Sequence, residues 1–168
     1  MSVFCDWQAN SGNIKGQLVM VSFRIAHGIR SLSAPFWWLG IPYLAWYELT
    51  VVWTLGIELR YKTKIGPGLR LYHGQALVVH EGTRIGANCT LRQSTTIGAK
   101  ALVDGTMSEC PVIGDNVDIG SNVVIIGEIK VGDGSVVGAG SVVVKDVQIG
   151  VVVAGNPARI LRGNGQLA

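Results

Sequence analysis

From Leu59 onward an aliphatic residue returns every six positions: Leu59, Ile65 and Leu71, then Val79, Ile85, Leu91 and Ile97, then Ile113, Ile119, Ile125, Val131, Val137, Val143 and Ile149. A period of six suits neither the 3.6-residue helix nor the two-residue alternation of a strand. It suits a chain that makes one short strand, turns a corner and starts again. Glycine follows many of these aliphatics directly, as in IGPG, IGAN, IGDN, VGDG and VGAG, and supplies the backbone freedom that corners need. Four positions after them come small or branched residues: Val117, Val123, Ile129, Ser135, Ser141 and Val147. Three strands return the chain to its starting face, so eighteen residues make one winding and the aliphatics stack into a solenoid core. The expected fold is mainly β: a parallel β-helix of triangular section over residues 58–163, preceded by a helical segment over 1–57 and followed by a tail, 164–168.

Composition agrees and narrows the partners. The 168 residues are 48% hydrophobic and 15% charged, with 23 glycines, and the ordering of the aliphatics argues for a folded repeat over low complexity. A net charge of +3 with no nucleic-acid motif gives no reason to expect DNA or RNA. Cys5, Cys89 and Cys110 form no CxxC pair, which points to a reducing compartment without a disulfide framework or zinc knuckle. The opening MSVFCDWQANSGNIKG has no signal-peptide pattern, and the cytoplasm is the expected compartment.

The first 57 residues follow another grammar. Ile14, Leu18, Val21, Ile25 and Ile29 recur at helical spacing and predict an amphipathic helix over 13–29, with a break at 31–35. The run FWWLGIPYLAWYELTVVWTLGI is long enough to span a bilayer, but Glu48, the Gly-Ile-Pro at 40–42 and the scattered aromatics argue against spanning. Burial between subunits is expected, with docking on the inner face of a membrane through the tryptophans as the alternative.

The rhythm breaks twice. Leu71 to Val79 is eight residues, with the extra pair inside YHGQALV; Ile97 to Ile113 is sixteen, which predicts a protruding loop near 99–111. Irregularities in a strict repeat are where function concentrates. His73 sits in the first break beside Gly74, Gln75 and Ala76, small enough to leave room for a ligand, and Glu58 lies fifteen residues earlier, nearly one winding back. An imidazole oriented by a carboxylate is a general base. His80 opens the turn HEGTR and is expected to cap it; His27 is expected to be structural. These three histidines do not supply the convergent ligands of a zinc site.

The stretch IELRYKTKIGPGLRLYHGQALVVHEGTRIGANCTLRQSTTIG resembles the serine acetyltransferase branch of the hexapeptide-repeat acyltransferases, and within it the short polysaccharide O-acetyltransferases of the colanic acid and capsule type. The likeness runs over about 57–163. It implies left-handed coils, against the right-handed rule for parallel crossovers. It implies acetyl-CoA as acyl donor with no metal, and a homotrimer with sites at subunit interfaces. It implies His73 as base and Glu58, where the family has Asp, as its partner. It places backbone contacts to the donor at Ala99, Ser121 and Ala139, and a cation near its phosphates at Arg159 in GNPARIL.

Where serine acetyltransferases have Asp and an Arg-His pair to hold their amino acid, this chain has Tyr72 and Glu109-Cys110. Glu109 would repel a carboxylate, whereas Tyr72 offers a ring for stacking on a sugar and a hydroxyl. Cys110 before proline is read as packing, not as an acyl-carrying nucleophile. The expected activity is therefore O-acetylation of a bacterial polysaccharide or its sugar precursor. The alternatives are amino-sugar N-acetylation, serine O-acetylation, or a non-catalytic trimeric scaffold.

Overall fold

The computed structural model describes residues 1–32 and 36–162. Residues 33–35, within the expected break, and the tail 164–168 lie outside the described residues. From Ile57 the chain winds as a triangular prism with three parallel walls. Wall A stacks β1 (Ile57–Leu59), β4 (Leu77–Val79), β7 (Thr96–Gly98), β10 (Val124–Ile126) and β13 (Val142–Val143). Wall B stacks β2 (Lys64–Ile65), β5 (Arg84–Ile85), β8 (Val112–Ile113) and β11 (Lys130–Val131). Wall C stacks β3 (Arg70–Tyr72), β6 (Thr90–Arg92), β9 (Asp118–Ile119), β12 (Val136–Val137) and β14 (Val152–Ala154), on which β15 (Arg159–Arg162) folds back antiparallel.

Every repeat aliphatic except Ile149 is buried, as are the residues four positions after them in the regular corners, including Leu69, Cys89, Thr95, Val117 and Ser141; Gln75 and Ala101, in the two irregular corners, are exposed. Each aliphatic contributes about 1.5–3 kcal/mol by leaving water. Ile149 is 62% exposed, contrary to the repeat. The reason is a shorter last winding, sixteen residues from Val137 to its partner Val153, which carries Ile149 off the core line. Val147, Val151 and Val153 fill the space instead.

The eighteen-residue winding holds where the sequence is regular, as between Ile125 and Val143. The first winding is longer: Ile57 registers with Leu77, twenty residues on, because the corner after β3 takes in the extra pair. From Ile85 to Ile113 the spacing is twenty-eight, and the surplus projects as a loop with Ala101 bridged to Met107.

A solenoid has an open end, and the first winding leaves carbonyls and N–H groups unpaired there. The N-terminal segment covers it. Helix α1 (Ile14–Arg30) starts at Asn13, whose side chain accepts from the Gly16 N–H and donates to the Leu71 carbonyl at 2.7 Å. Asn10 donates to the Leu69 carbonyl and accepts from the Leu71 N–H; Asp6 accepts from the Leu69 N–H. Arg24, buried, is forked onto Asp6 at 2.7 and 3.0 Å and donates to the carbonyls of Ile65 and Gly66. Tyr47 donates to the Leu59 carbonyl at 2.6 Å, and His27 Nδ1 donates to the Tyr61 carbonyl at 2.8 Å, the structural role its sequence position suggests. Side chains thus imitate the missing winding. With the Tyr47 hydroxyl buried, its pKa is pushed far up and it stays a donor.

The expected face of α1 is corrected. Ile14 and Leu18 are exposed, and the helix instead turns Gly16, Val19, Met20, Phe23 and Ala26 onto the prism. Both faces of this helix are apolar; Gly16 decides between them, because a Cβ there would lie 2.9 Å from the Leu71 carbonyl. The long apolar run divides into a 3₁₀ turn (Phe36–Gly40), α2 (Ile41–Tyr47) and a π-helical turn (Glu48–Thr54). It buries Leu44, Tyr47 and Val51 while Trp38, Trp46, Leu49 and Trp53 face outward. Among the described residues no helix is long and apolar enough to cross a membrane.

Candidate active site

Each corner of the prism stacks on the corners above and below. His73, Gln93, Ser121 and Ala139 follow strands of wall C and lie along the edge shared with wall A; His80, Ala99 and the 99–111 loop follow strands of wall A and lie along the edge shared with wall B. The expected site residues therefore divide into two sets. One edge holds Tyr72, His73, Ser121 and Ala139, and the other holds Ala99, Glu109 and Cys110. Two stand apart from both: Arg159, at the C-terminal end, and Glu58, in the middle of β1 on wall A.

His73 is the centre of a tight turn. Its φ is 63°, and the Gly74 N–H donates to the Tyr72 carbonyl at 2.7 Å, a γ-turn of the rare left-handed kind. The extra pair of residues is what lets the chain make this turn, with Ala76 also left-handed at φ 53°. Gly74 is buried against Ile57, where a Cβ would come within 3.0 Å. Gln75, in the amide orientation that satisfies both neighbours, donates to the His73 carbonyl at 2.7 Å and accepts from Lys15 Nζ at 2.9 Å. A non-glycine residue held left-handed at an exposed corner is strain of the kind that gathers at working sites.

The imidazole borders a cleft of about 270 Å³ lined by Tyr72, His73, Arg92, Gln93 and Ser121. Arg92 is engaged by both carboxylate oxygens of Asp118 and by the Ile119 carbonyl at 2.9 Å. Its guanidinium also lies 5.5 Å from the centroid of the Tyr72 ring. The Gln93 side-chain oxygen is buried at this cleft and has no hydrogen-bond partner among the described residues. Arg92, Gln93 and Asp118 are functional candidates that the repeat alone does not signal; a charged pair on consecutive windings of an outer wall was the available clue.

Glu58 points outward from the middle of β1, registered with Val78. Its ion partner is Arg60 at 3.6 Å, both half-exposed, and among the described contacts no hydrogen bond joins it to His73. Because the first winding has twenty residues, Glu58 registers five positions beyond His73.

On the other edge Cys110 Sγ lies 3.1 Å from His80 Nδ1, which also accepts from the Gly82 N–H at 3.1 Å. His80 caps its own turn, as expected. Burial pushes the Cys110 thiol up and Glu109 adds to this, while the Ala99 N–H, turned toward the sulfur, pulls it down. A protonated thiol is a poor nucleophile. Cys110 is expected to alkylate with iodoacetamide at pH 7.5 more slowly than free cysteine, read by peptide mass mapping; labelling as fast as free cysteine would contradict this. Glu109, Cys110, Arg84, Glu128 and Lys130 border a cleft of about 470 Å³.

Arg159 begins β15 and donates to the Pro157 and Ala158 carbonyls, beside a cleft of about 460 Å³ that also holds Lys145. Asp146 also lines this cleft, its carboxylate accepting from the Lys130 N–H, and the two cations beside it suit phosphate groups. Among the described residues no group of three or more His, Cys, Asp or Glu side chains is arranged to hold a metal ion.

A triangular parallel β-helix with irregular corners and a long loop is the architecture of a left-handed β-helix transferase. The family model described as bacterial transferase hexapeptide (six repeats) matches residues 110–145, and that described as hexapeptide repeat of succinyl-transferase matches 77–105. "Putative colanic acid biosynthesis acetyltransferase WcaB" of Escherichia coli (strain K12) is 31% identical over 160 residues, 92% of this chain and 96% of the relative. Serine acetyltransferase 4 of Arabidopsis thaliana is 35% identical over 150 residues, 89% of this chain but 40% of the relative. Among solved structures, soybean serine acetyltransferase apoenzyme superposes with a TM-score of 0.78 at 29% identity, covering 95% of this chain and 67% of that one. A serine acetyltransferase in complex with CoA gives 0.74 at 26% identity, covering 95% and 68%. The chain belongs to the hexapeptide-repeat acyltransferases, in the branch that includes the serine acetyltransferases. It spans nearly all of the colanic acid relative and less than half of the plant enzyme.

Proposed function

We propose that the protein transfers the acetyl group of acetyl-CoA to a hydroxyl of a bacterial polysaccharide or its sugar precursor. The observation that carries this reading is the closed charge of the His73 cleft. A free amino acid needs an open cation for its carboxylate and an open acid for its ammonium. Here the one cation lining the cleft among the described residues, Arg92, is spent on Asp118 and Ile119, which leaves the tyrosine ring, the Gln93 amide and the Ser121 hydroxyl. Such a surface suits a neutral polyol. The near end-to-end likeness to the colanic acid relative supports the same acceptor class. The specific support for a serine acceptor is the likeness to the serine acetyltransferases.

In this reading His73 takes the proton from the attacking hydroxyl, the new C–O bond forms as the thioester C–S bond breaks, and the imidazolium returns the proton to the leaving thiolate. Glu58, only loosely held by Arg60, is the carboxylate available to steady the charged ring. Backbone N–H groups at the corners, with Ala99 the candidate, hold the oxyanion. Arg159 and Lys145 take the donor's phosphates. Ala99 and His73 lie on different edges, so a complete site needs the edges of two subunits. The outward residues of wall A, including Val78, Thr96, Val124, Ile126 and Val142, are mostly apolar and support a homotrimer packed through that wall. A cytoplasmic enzyme fits this donor. The outward tryptophans leave docking at the inner face of the membrane as part of the proposal.

The test is transfer from acetyl-CoA to a panel of bacterial glycans, neutral and uronate-containing, and to L-serine, side by side. Glycan acetylation removable by mild alkali, with serine slower by an order of magnitude or more, is the expected outcome. Faster acetylation of serine would overturn the acceptor, and an alkali-stable product would indicate an amide. A scaffold would bind no donor, whereas we expect acetyl-CoA to raise the melting temperature and Arg159→Glu to abolish that rise.

A further inference from the structure

Wall C carries a second cleft, of about 420 Å³, where the first two windings meet the N-terminal cap. Gln8, Gly68, Arg70, Asn88 and Thr90 border it, and among the described residues no acidic side chain lines it. It is separated from the His73 cleft by one stack: the guanidinium groups of Arg70 and Arg92 lie 5.9 and 5.5 Å from the Tyr72 ring centroid. Arg70 and Tyr72 stand two residues apart on β3, about 7 Å along a strand. That is a step on the order of one sugar unit.

The two arginines differ in what they have left to give. Arg92 is bound on both terminal nitrogens. Arg70 spends only its Nε–H, on the Ala9 carbonyl at 2.8 Å, and among the described contacts its terminal nitrogens have no hydrogen-bond partner. The side-chain amides of Gln8 and Asn88 likewise have no hydrogen-bond partner among the described contacts. Asn88 is held left-handed at φ 56°, with its amide oxygen laid over Gly68, where a Cβ would lie 2.3 Å away. Gly68 keeps that floor clear. A planar fork of free N–H donors matches a carboxylate, and amides match ring hydroxyls.

We infer that this cleft is a second acceptor subsite, holding an acid-bearing sugar such as a hexuronate next to the unit whose hydroxyl reaches His73. The inference rests on the glycan reading and adds two things: the acceptor is longer than one sugar, and it carries a negative charge. The probes are methyl β-D-glucuronide and methyl β-D-glucoside, titrated into the full chain and followed by backbone amide shifts. The glucuronide is expected to move the amides of Gly68, Asn88 and Thr90 and to bind about tenfold more tightly than the glucoside. Arg70→Gln, checked for folding by its melting temperature, is expected to erase the preference, and His73→Ala to keep it. Equal binding of the probes, a preference that survives Arg70→Gln, or shifts confined to the His73 cleft would overturn the subsite. Arg70-dependent binding without transfer to any glycan would instead refute the proposed reaction and leave the subsite standing.

Discussion

His73→Ala is expected to lower kcat by about 10²–10⁴-fold, the usual contribution of a general base, while CoA still binds and still raises the melting temperature. The split follows from geometry. The imidazole lies on the edge between walls C and A, whereas the cations for the donor's phosphates, Arg159 and Lys145, lie at the C-terminal end. His73 is also a position where alanine changes little else: the side chain is exposed, and the turn is held by Gly74, by Gln75 and by Lys15 on α1. Steady-state kinetics with calorimetric CoA binding check the result. Turnover near wild type would remove His73 from the chemistry, and loss of CoA binding together with turnover would indicate a damaged corner.

Arg24→Ala is expected to cost about 3–5 kcal/mol of stability, the range for leaving one member of a buried ion pair without its partner. Arg24 and Asp6 are 4% and 1% exposed, and together they satisfy two carbonyls and one N–H of the first winding. Removing the guanidinium strands both carbonyls and leaves the buried Asp6 carboxylate without its cation. Because solenoid windings are stabilised by their neighbours, the loss reaches the first coil and the His73 corner built upon it. Denaturant unfolding measures the effect. Replacing both residues together with apolar side chains should cost less than the single change, since no buried charge is left alone. A single variant within about 1 kcal/mol of wild type would mean that the cap is ornamental.

The solenoid was legible because its information is local: one aliphatic, one glycine and one small residue within each short stretch, repeated with a fixed step. Both interruptions, at 72–76 and 99–111, were visible for the same reason. What the repeat did not reveal was non-local. Taking eighteen residues per winding throughout brought Glu58 nearer to His73 than the twenty-residue first winding does, since two residues at a corner move the register of a whole turn. The outer face of α1 looked like the core face because Ile14 and Leu18 are apolar, and only contact with Leu71 reveals that Gly16 must lie inside. Asn10 and Asn13 read as ordinary turn residues; that they finish the edge of β3 depends on residues some sixty positions away. The Arg92–Asp118 pair, which closes the charge of the cleft, is twenty-six positions apart because the protruding loop intervenes.

The central claim is that the corner holding His73 is where acyl transfer occurs. A structure of the protein with CoA bound tests it most directly. The account predicts the CoA thiol within reach of the His73 ring, in the cleft of Tyr72, Arg92, Gln93 and Ser121, and the phosphates beside Arg159 and Lys145. A thiol seated against Cys110 and His80 with no His73 near it, from the same subunit or a neighbour, would contradict it.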